Sequence, residues 1–202
     1  MTRDYHARRR AESPTRNFAD TLRTMTSGSS PKTHSLPVLP SGGALAARHA
    51  TIADDLRRLG LRDVRFGHGE RMLYATEASI YQVEPIGVVV LDTPADAAKV
   101  VRYCAEAKLP VLPRGGGTSL NGQTVNAAVV LDFSAHCRRI LGIDAATRRA
   151  RVEPGVVLDQ LNDALKPHGL MFPPDPNTGS HNNIGGMIGN NAAGARSILY
   201  GR

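Results

Sequence analysis

The chain has 202 residues, of which 41% are hydrophobic and 21% charged, a composition able to bury the core of one ordinary domain. No window reaches the roughly 18 consecutive apolar residues of a membrane-spanning helix, and Arg8, Arg9 and Arg10 are not followed by the apolar run of a signal peptide. Two cysteines, Cys104 and Cys137, make neither a CxxC pair nor a disulfide ladder, which excludes structural zinc and an iron–sulfur cluster within these residues and points to a reducing, cytoplasmic compartment.

The net charge of +7 is concentrated at one end. Residues 1–40 hold seven Lys/Arg against three Asp/Glu and are rich in Ser, Thr, Pro and Arg without apolar periodicity, so they read as a solvated, disordered leader. With no Trp and 4% aromatics there is no base-stacking surface, and nucleic acid is not an expected partner. Leu45, Ile52, Leu56 and Leu59 recur at helical spacing before Gly60, which predicts a helix over 44–59 and a helical lead-in over 41–82. The stretch 67–81 has no firm period, with Tyr74 and Tyr81 as candidate anchors to a domain over 83–202.

From there the pattern sharpens. Val88 to Leu91 predicts a buried strand, and Thr93-Pro94-Ala95-Asp96 an N-cap, a proline at the first helical position and an acidic third. A helix to about Lys108 and a strand at Val111–Pro113 complete a β-α-β unit. Further strands are expected at 128–133, 140–144 and 149–153, and a helix over 157–166 closed by Gly169. Strands in succession after one crossover make the fold class α+β.

Two segments carry the chemistry. Pro113 to Gln123 reads PRGGGTSLNGQ directly after a strand. Gly115, Gly116 and Gly117 have no side chains to block close approach, so successive backbone N–H groups can converge on a phosphate or diphosphate, with Arg114 adding charge and Thr118 and Ser119 adding hydroxyls. A dinucleotide fingerprint starting at Gly115 fails at Leu120, and a P-loop starting at Gly117 has Gln123 in place of its lysine, so neither a Rossmann site nor NTP hydrolysis is expected. The second segment runs from Phe172-Pro173-Pro174-Asp175-Pro176 to IGGMIGNNAAG at Ile184 to Gly194. Its prolines fix an extended approach, its small residues leave room for a flat ligand, and Asn182, Asn183, Asn190 and Asn191 offer neutral donors and acceptors.

In this order and spacing PRGGGTS, VEPG at Val152 to Gly155, FPPDP and IGGMIGNNAAG resemble the PCMH-type FAD-binding domain of the vanillyl-alcohol oxidase/p-cresol methylhydroxylase superfamily. The branch they resemble is the glycolate oxidase, D-lactate dehydrogenase and D-2-hydroxyglutarate dehydrogenase group. RMLYATEASIYQVEPIGVV at Arg71 to Val90 and ARSILYGR at Ala195 to Arg202 are similar to large bacterial members that fuse this domain to an iron–sulfur domain.

The resemblance implies FAD as cofactor, with the diphosphate on Pro113, Arg114 and the loop to Ser119, and with Asp175, Ser180, Asn183, Gly185, Gly186, Asn190, Asn191 and Gly194 along the flavin and ribityl chain. Thr118 stands where covalent relatives carry a histidine, so the flavin is expected to be non-covalent. The implied reaction is hydride transfer from a D-2-hydroxy acid to FAD, with electrons passed to a second acceptor for which the fused relatives suggest an iron–sulfur domain absent from this chain. The family's substrate-binding arginine, metal-binding histidines and histidine base lie beyond Arg202, so the resemblance implies a domain incomplete at its C-terminus, inactive alone, and names no catalytic residue and no metal ligand. His181 and His168 are the nearest histidines; His168 has the place of a helix C-cap. The alternatives are a nucleotide-binding fragment without catalysis and a non-redox flavoprotein like alkylglycerone-phosphate synthase.

Overall fold

The structure, a computed structural model, describes residues 42–201; the leader expected over 1–40 lies outside them. Helix α1 (Gly42–Arg58) buries Ile52, Ala53 and Leu56 and ends at Gly60, whose φ of +83° suits a residue without a Cβ. Strand β1 (Asp63–Arg65) follows, then the short helix α2 (His68–Met72). β1 pairs antiparallel with β2 (Gly87–Val90), Val64 opposite Val89, so the lead-in supplies a strand of the sheet as well as a helix. A three-residue strand with a single apolar side chain has no readable period, which is why the sequence does not announce it.

Helix α3 (Pro94–Glu106) starts as its sequence predicts: the N–H and hydroxyl of Thr93 both donate to the Asp96 carboxylate. Val100 and Cys104 face inward from it. Strands β3 (Val111–Arg114) and β4 (Val129–Asp132) complete a sheet of order β1-β2-β4-β3, in which β4 lies between β2 and β3 and is parallel to both. Alternation along the strands divides the core. Val89, Leu91, Val129 and Leu131 pack with α1 and α3, whereas Val88, Val90 and Val130 pack beneath Tyr74 and Leu112.

A separate hairpin of β5 (Ile140–Asp144) and β6 (Arg149–Val152) turns Ile140, Ile143 and Val152 toward helix α4 (Leu158–Leu165), which buries Leu158, Leu161 and Leu165. A 3-10 turn at Lys166–His168 ends at Gly169, φ +64°. The same cluster receives Ile184 and Met187 from helix α5 (Ile184–Gly189), and a last short helix, α6, spans Ser197–Tyr200. The segment 184–194, to which its sequence assigns no element, is therefore in part helical. Three glycines in six residues each disfavour helix by about 1 kcal/mol relative to alanine, and the burial of Ile184 and Met187 outweighs that local preference.

Between the sheet and the hairpin, Glu153 is 4% exposed and accepts the backbone N–H of Arg139 at 2.8 Å and its guanidinium at 2.7 and 2.9 Å. The side-chain and backbone donors of Arg139 hold the Glu153 carboxyl below its ordinary pKa. A carboxylate so shifted stabilises the fold above its unfolded-state pKa, about 4.3, and loses that contribution as the pH falls through the folded-state value. Urea unfolding between pH 6 and pH 3 is expected to show stability falling with acidification. Glu153→Gln is expected to be less stable at pH 6 and to have a shallower pH slope, part of which remains because Asp92, Asp96 and Asp144 are also depressed. An unchanged slope would contradict this role.

Candidate cofactor site

The three parallel strands end along one edge of the sheet, with Arg114 of β3 opposite Asp132 of β4. The glycine loop leaves β3 at this edge, where the carboxyl ends of parallel strands open a crevice. The backbone N–H groups of Gly115 through Leu120 have no acceptor among the described residues, while the Gly117 carbonyl accepts the N–H of Ala78 at 3.1 Å. Gly117 has φ +65°, the left-handed value that lets successive N–H groups turn toward one point.

The segment carrying Asn182 and Asn183 backs this loop closely. A Cβ on Gly116 would stand 2.3 Å from the carbonyl oxygen of His181, and one on Gly115 would stand 2.6 Å from Asn183 Oδ1. Asn182 Oδ1 accepts the hydroxyls of Thr118 at 2.6 Å and Thr178 at 2.8 Å. Asn183 is buried; its amide donates to the Gly155 carbonyl at 2.6 Å and its Oδ1 has no partner. Gly155 is itself obligatory, since a Cβ there would meet the Phe133 carbonyl at 2.1 Å.

Between the two segments lies a cleft of about 620 Å³, bounded by Gly115 to Asn121, Pro176 to Thr178, Asn182, Asn183 and Ala192 to Ala195. No charged side chain lines it. A second cavity of about 360 Å³ includes Leu112, Pro113, Arg114, Phe133, Pro154, Gly185 and Gly189, and shares Gly115, Gln123, Thr124, Gly186 and Asn190 with the first. A run of N–H groups without acceptors, glycines with no room for a Cβ and two cavities meeting along a common rim fit a diphosphate-bridged dinucleotide such as FAD.

Several expected residues play other parts. The Arg114 guanidinium donates to the carbonyls of Tyr74 and Thr124, each at 3.0 Å, and of Thr76 at 2.7 Å, and lies 5.3 Å from the centre of the Tyr74 ring. Its donors hold the loop to these carbonyls, and the residue borders the smaller cavity. Burial lowers the Arg114 pKa while Asp132, Glu77 and Tyr74 act in the opposite sense. The Thr118 hydroxyl is committed to Asn182, and Ser119 lies 3.5 Å from Asn190 Nδ2.

Asp175 lines neither cavity. Its carboxylate accepts the N–H of Arg196 at 2.8 Å and pairs with the Arg196 guanidinium at 3.2 Å, and its carbonyl occupies the space a Gly194 Cβ would need. Ser180 and His181 pair with each other at 2.8 Å on the surface, Asn191 makes a left-handed turn at φ +48°, and none of these side chains lines a cavity. Gly185 packs on Pro154, whereas Gly186 and Asn190 stand on the shared rim. Sequence reading missed Glu77, which accepts the backbone N–H of Thr124 at 2.8 Å and also its hydroxyl, and missed that Tyr74 donates to Asp132 at 2.7 Å. Tyr81, a candidate anchor, is exposed.

Gly116→Ala forces two backbones apart, and such overpacking costs about 1–3 kcal/mol. Flavin-fluorescence titration of this variant is expected to show FAD affinity reduced by about tenfold or more. Gly186→Ala, where a Cβ meets nothing, is expected to keep or raise the urea midpoint. Parent-level FAD affinity in Gly116→Ala would contradict the closeness assigned to these segments.

Comparison with known proteins agrees with this geometry. The family described as FAD binding domain matches residues 85–202. The chain is 39% identical over 171 residues to D-2-hydroxyglutarate dehydrogenase of Pantoea ananatis (strain AJ13355), covering 83% of this chain and 17% of that protein. It is 35% identical over 134 residues to glycolate oxidase subunit GlcD of Bacillus subtilis (strain 168), covering 65% and 28%. To D-lactate dehydrogenase of Archaeoglobus fulgidus it is 39% identical over 106 residues, covering 52% and 24%. The chain thus spans about a sixth of the length of the first of these relatives. A solved structure of alkyldihydroxyacetonephosphate synthase superposes with a TM-score of 0.67 at 17% identity over 75% of this chain and 34% of that one, a likeness of fold. With its family matched over more than half of its residues, the chain belongs to the FAD binding domain family, and its cofactor is FAD.

Proposed function

We propose that this chain is the FAD-binding portion of a flavin-dependent oxidoreductase acting on a D-2-hydroxy acid of the lactate, glycolate or 2-hydroxyglutarate class. The observation that carries the reading is the run of residues from Gly115 to Leu120 whose N–H groups have no acceptor among the described residues and which line a cleft without charged side chains. Such a cradle takes a diphosphate by backbone dipoles and needs no lysine. The substrate class rests on the hydroxy-acid enzymes that the chain resembles at 35–39% identity; the fold likeness to alkyldihydroxyacetonephosphate synthase carries no substrate. When bound, FAD supplies a hydride acceptor for the carbon bearing the hydroxyl.

In this reading Gly115, Gly116 and Gly117 cradle the diphosphate, Asn183 and Asn182 hold the loop from behind, and Gly186, Asn190 and Gly194 border the ring systems. Asp175 acts by pinning the turn at Gly194 to Arg196. Electrons leave to a second acceptor, for which an iron–sulfur domain is our candidate, and we place the protein in the cytoplasm. Among the described residues no helix is long and apolar enough to cross a membrane.

FAD is expected to raise the melting temperature of the full chain while NAD and ATP leave it unmoved; stabilisation by ATP alone would reverse the ligand assignment. Since Thr118 cannot form a histidyl link, acid precipitation is expected to release the flavin to the supernatant, and colour kept in the pellet would contradict non-covalent binding. The larger cleft offers neither a cation for a carboxylate nor a base for a hydroxyl, and the Arg114 guanidinium at the smaller cavity is committed to main-chain carbonyls. Anaerobic mixing of the FAD-loaded 202-residue chain with D-lactate, glycolate or D-2-hydroxyglutarate is therefore expected to leave the flavin oxidised. Rapid bleaching would show that the catalytic groups are already present.

A further inference from the structure

The glycine loop is held at both ends by a segment that precedes the residues matched by the family. Tyr74 to Val83 closes on itself through a bridge between Thr76 and Gln82 and an N–H of Val83 donated to the Ala75 carbonyl at 2.8 Å. Arg114 fastens the near end of the loop to the carbonyls of Tyr74 and Thr76, and the Ala78 N–H fastens its middle at Gly117. At the far end the Glu77 carboxylate accepts both the backbone N–H and the hydroxyl of Thr124, while the Tyr81 ring lies against Gly122, where a Cβ would approach it to 2.9 Å.

Glu77 is the charged member of this strap beside Thr124, on the rim shared by the two cavities. It is half-buried, and its Oε1 is buried without a partner. Burial works to raise its pKa, and the donors of Thr124, with Ser79 and Gly122 beside them, outweigh burial and keep the group below its ordinary range. An anion cradle built from main-chain N–H groups is effective to the extent that it is ordered before the anion arrives, because ordering a glycine-rich loop on binding costs conformational entropy. Within Gly115 to Gln123 that order comes from the packing of Gly115 and Gly116 on His181 and Asn183, from the bonds of Thr118 and Ser119 to Asn182 and Asn190, and from the turn at Asn121, whose N–H donates to Gln123 at 3.2 Å; none of these holds the end at Thr124.

We propose that Glu77 is a positioning residue for the cofactor: by holding the N–H and hydroxyl of Thr124 it fixes, together with the Arg114 guanidinium on the Thr124 carbonyl, the far end of the diphosphate loop, whose near end Arg114 also fixes. The inference rests on the reading of Gly115 to Leu120 as the diphosphate cradle. Both Thr124 donors converge on one carboxylate oxygen, Oε2; glutamine in its place removes the negative charge that strengthens both bonds and sets an NH2 at the position of Oε1, which is buried without a partner.

The test uses the full chain and three probes, FAD, ADP and riboflavin, titrated into the parent, Glu77→Gln, Glu77→Asp and Thr124→Val. Glu77→Gln is expected to weaken FAD and ADP by about tenfold each, the range set by a hydrogen bond to a charged acceptor, and to leave riboflavin, which lacks the diphosphate, unchanged. Glu77→Asp keeps the carboxylate and is expected to bind ADP more tightly than Glu77→Gln. Thr124→Val, which removes the hydroxyl and keeps the N–H, is expected to lose a smaller factor for FAD and ADP, and decides the matter should Glu77→Gln fail to fold. Parent-level ADP affinity in both Glu77→Gln and Thr124→Val would overturn the inference, as would a loss shared equally by riboflavin. A parent that binds neither FAD nor ADP would instead overturn the reading of the loop on which the inference rests.

Discussion

The contact of Gly115 and Gly116 with the backbone and amide of His181 to Asn183 is the constraint on which the site depends. Two segments more than sixty residues apart approach so closely that a single methyl group on Gly116 would lie 2.3 Å from a carbonyl oxygen. This closeness aligns β3, whose end launches the loop, with α5, whose buried Ile184 and Met187 root the second segment in the hairpin cluster. The cleft exists because these two supports are held at a fixed separation, and its walls are backbone and small side chains because nothing larger fits where they touch.

The electrostatics follow from that geometry. A cleft walled by backbone binds an anion through N–H dipoles, and of the two cavities only the smaller is bordered by a charged residue, Arg114. Arg114, Asp132, Glu77 and the Tyr74 hydroxyl form a half-buried set around the carboxyl edge of the sheet, each group tied to a neighbour or to a main-chain carbonyl. Burial pushes the Tyr74 hydroxyl pKa well above its ordinary value, with its bond to Asp132 adding to the rise, so the hydroxyl keeps its proton at neutral pH. Cys104 and Cys137 are buried, and burial raises both thiols to about 11; neither is a thiolate near neutrality.

Much of the fold was legible where one local signal decided the outcome. The Thr93-Pro94-Ala95-Asp96 start, the all-apolar strand expected at Val88 to Leu91, the hairpin strands and the stop at Gly169 all appear within a residue or two of their expected places. β1 and α5 were not legible, because each is made by tertiary partners: β1 by pairing with β2, and α5 by burying two side chains against the low helix preference of its glycines. For the site, the glycine run announced the cradle, since positive φ and close approach demand glycine at those positions. Residue roles were less visible. Arg114 reads as a phosphate ligand in sequence because nothing there shows that carbonyls from Tyr74 and Thr76, nearly forty residues earlier, would meet its guanidinium. Glu77 sits among small polar residues without a period, so its hold on Thr124 emerges only when the chain is folded.

The main chain of the glycine loop is where diphosphate binding has to register. Backbone amide NMR of the 15N-labelled chain, recorded as ADP is titrated in, reads that main chain directly. The largest shifts are expected on the N–H groups of Gly115 to Leu120, with smaller ones at Asn182 and Asn183 and none across β5 and β6. Shifts centred on the exposed arginines of the hairpin, Arg148, Arg149 and Arg151, with the glycine loop unmoved, would contradict a backbone cradle.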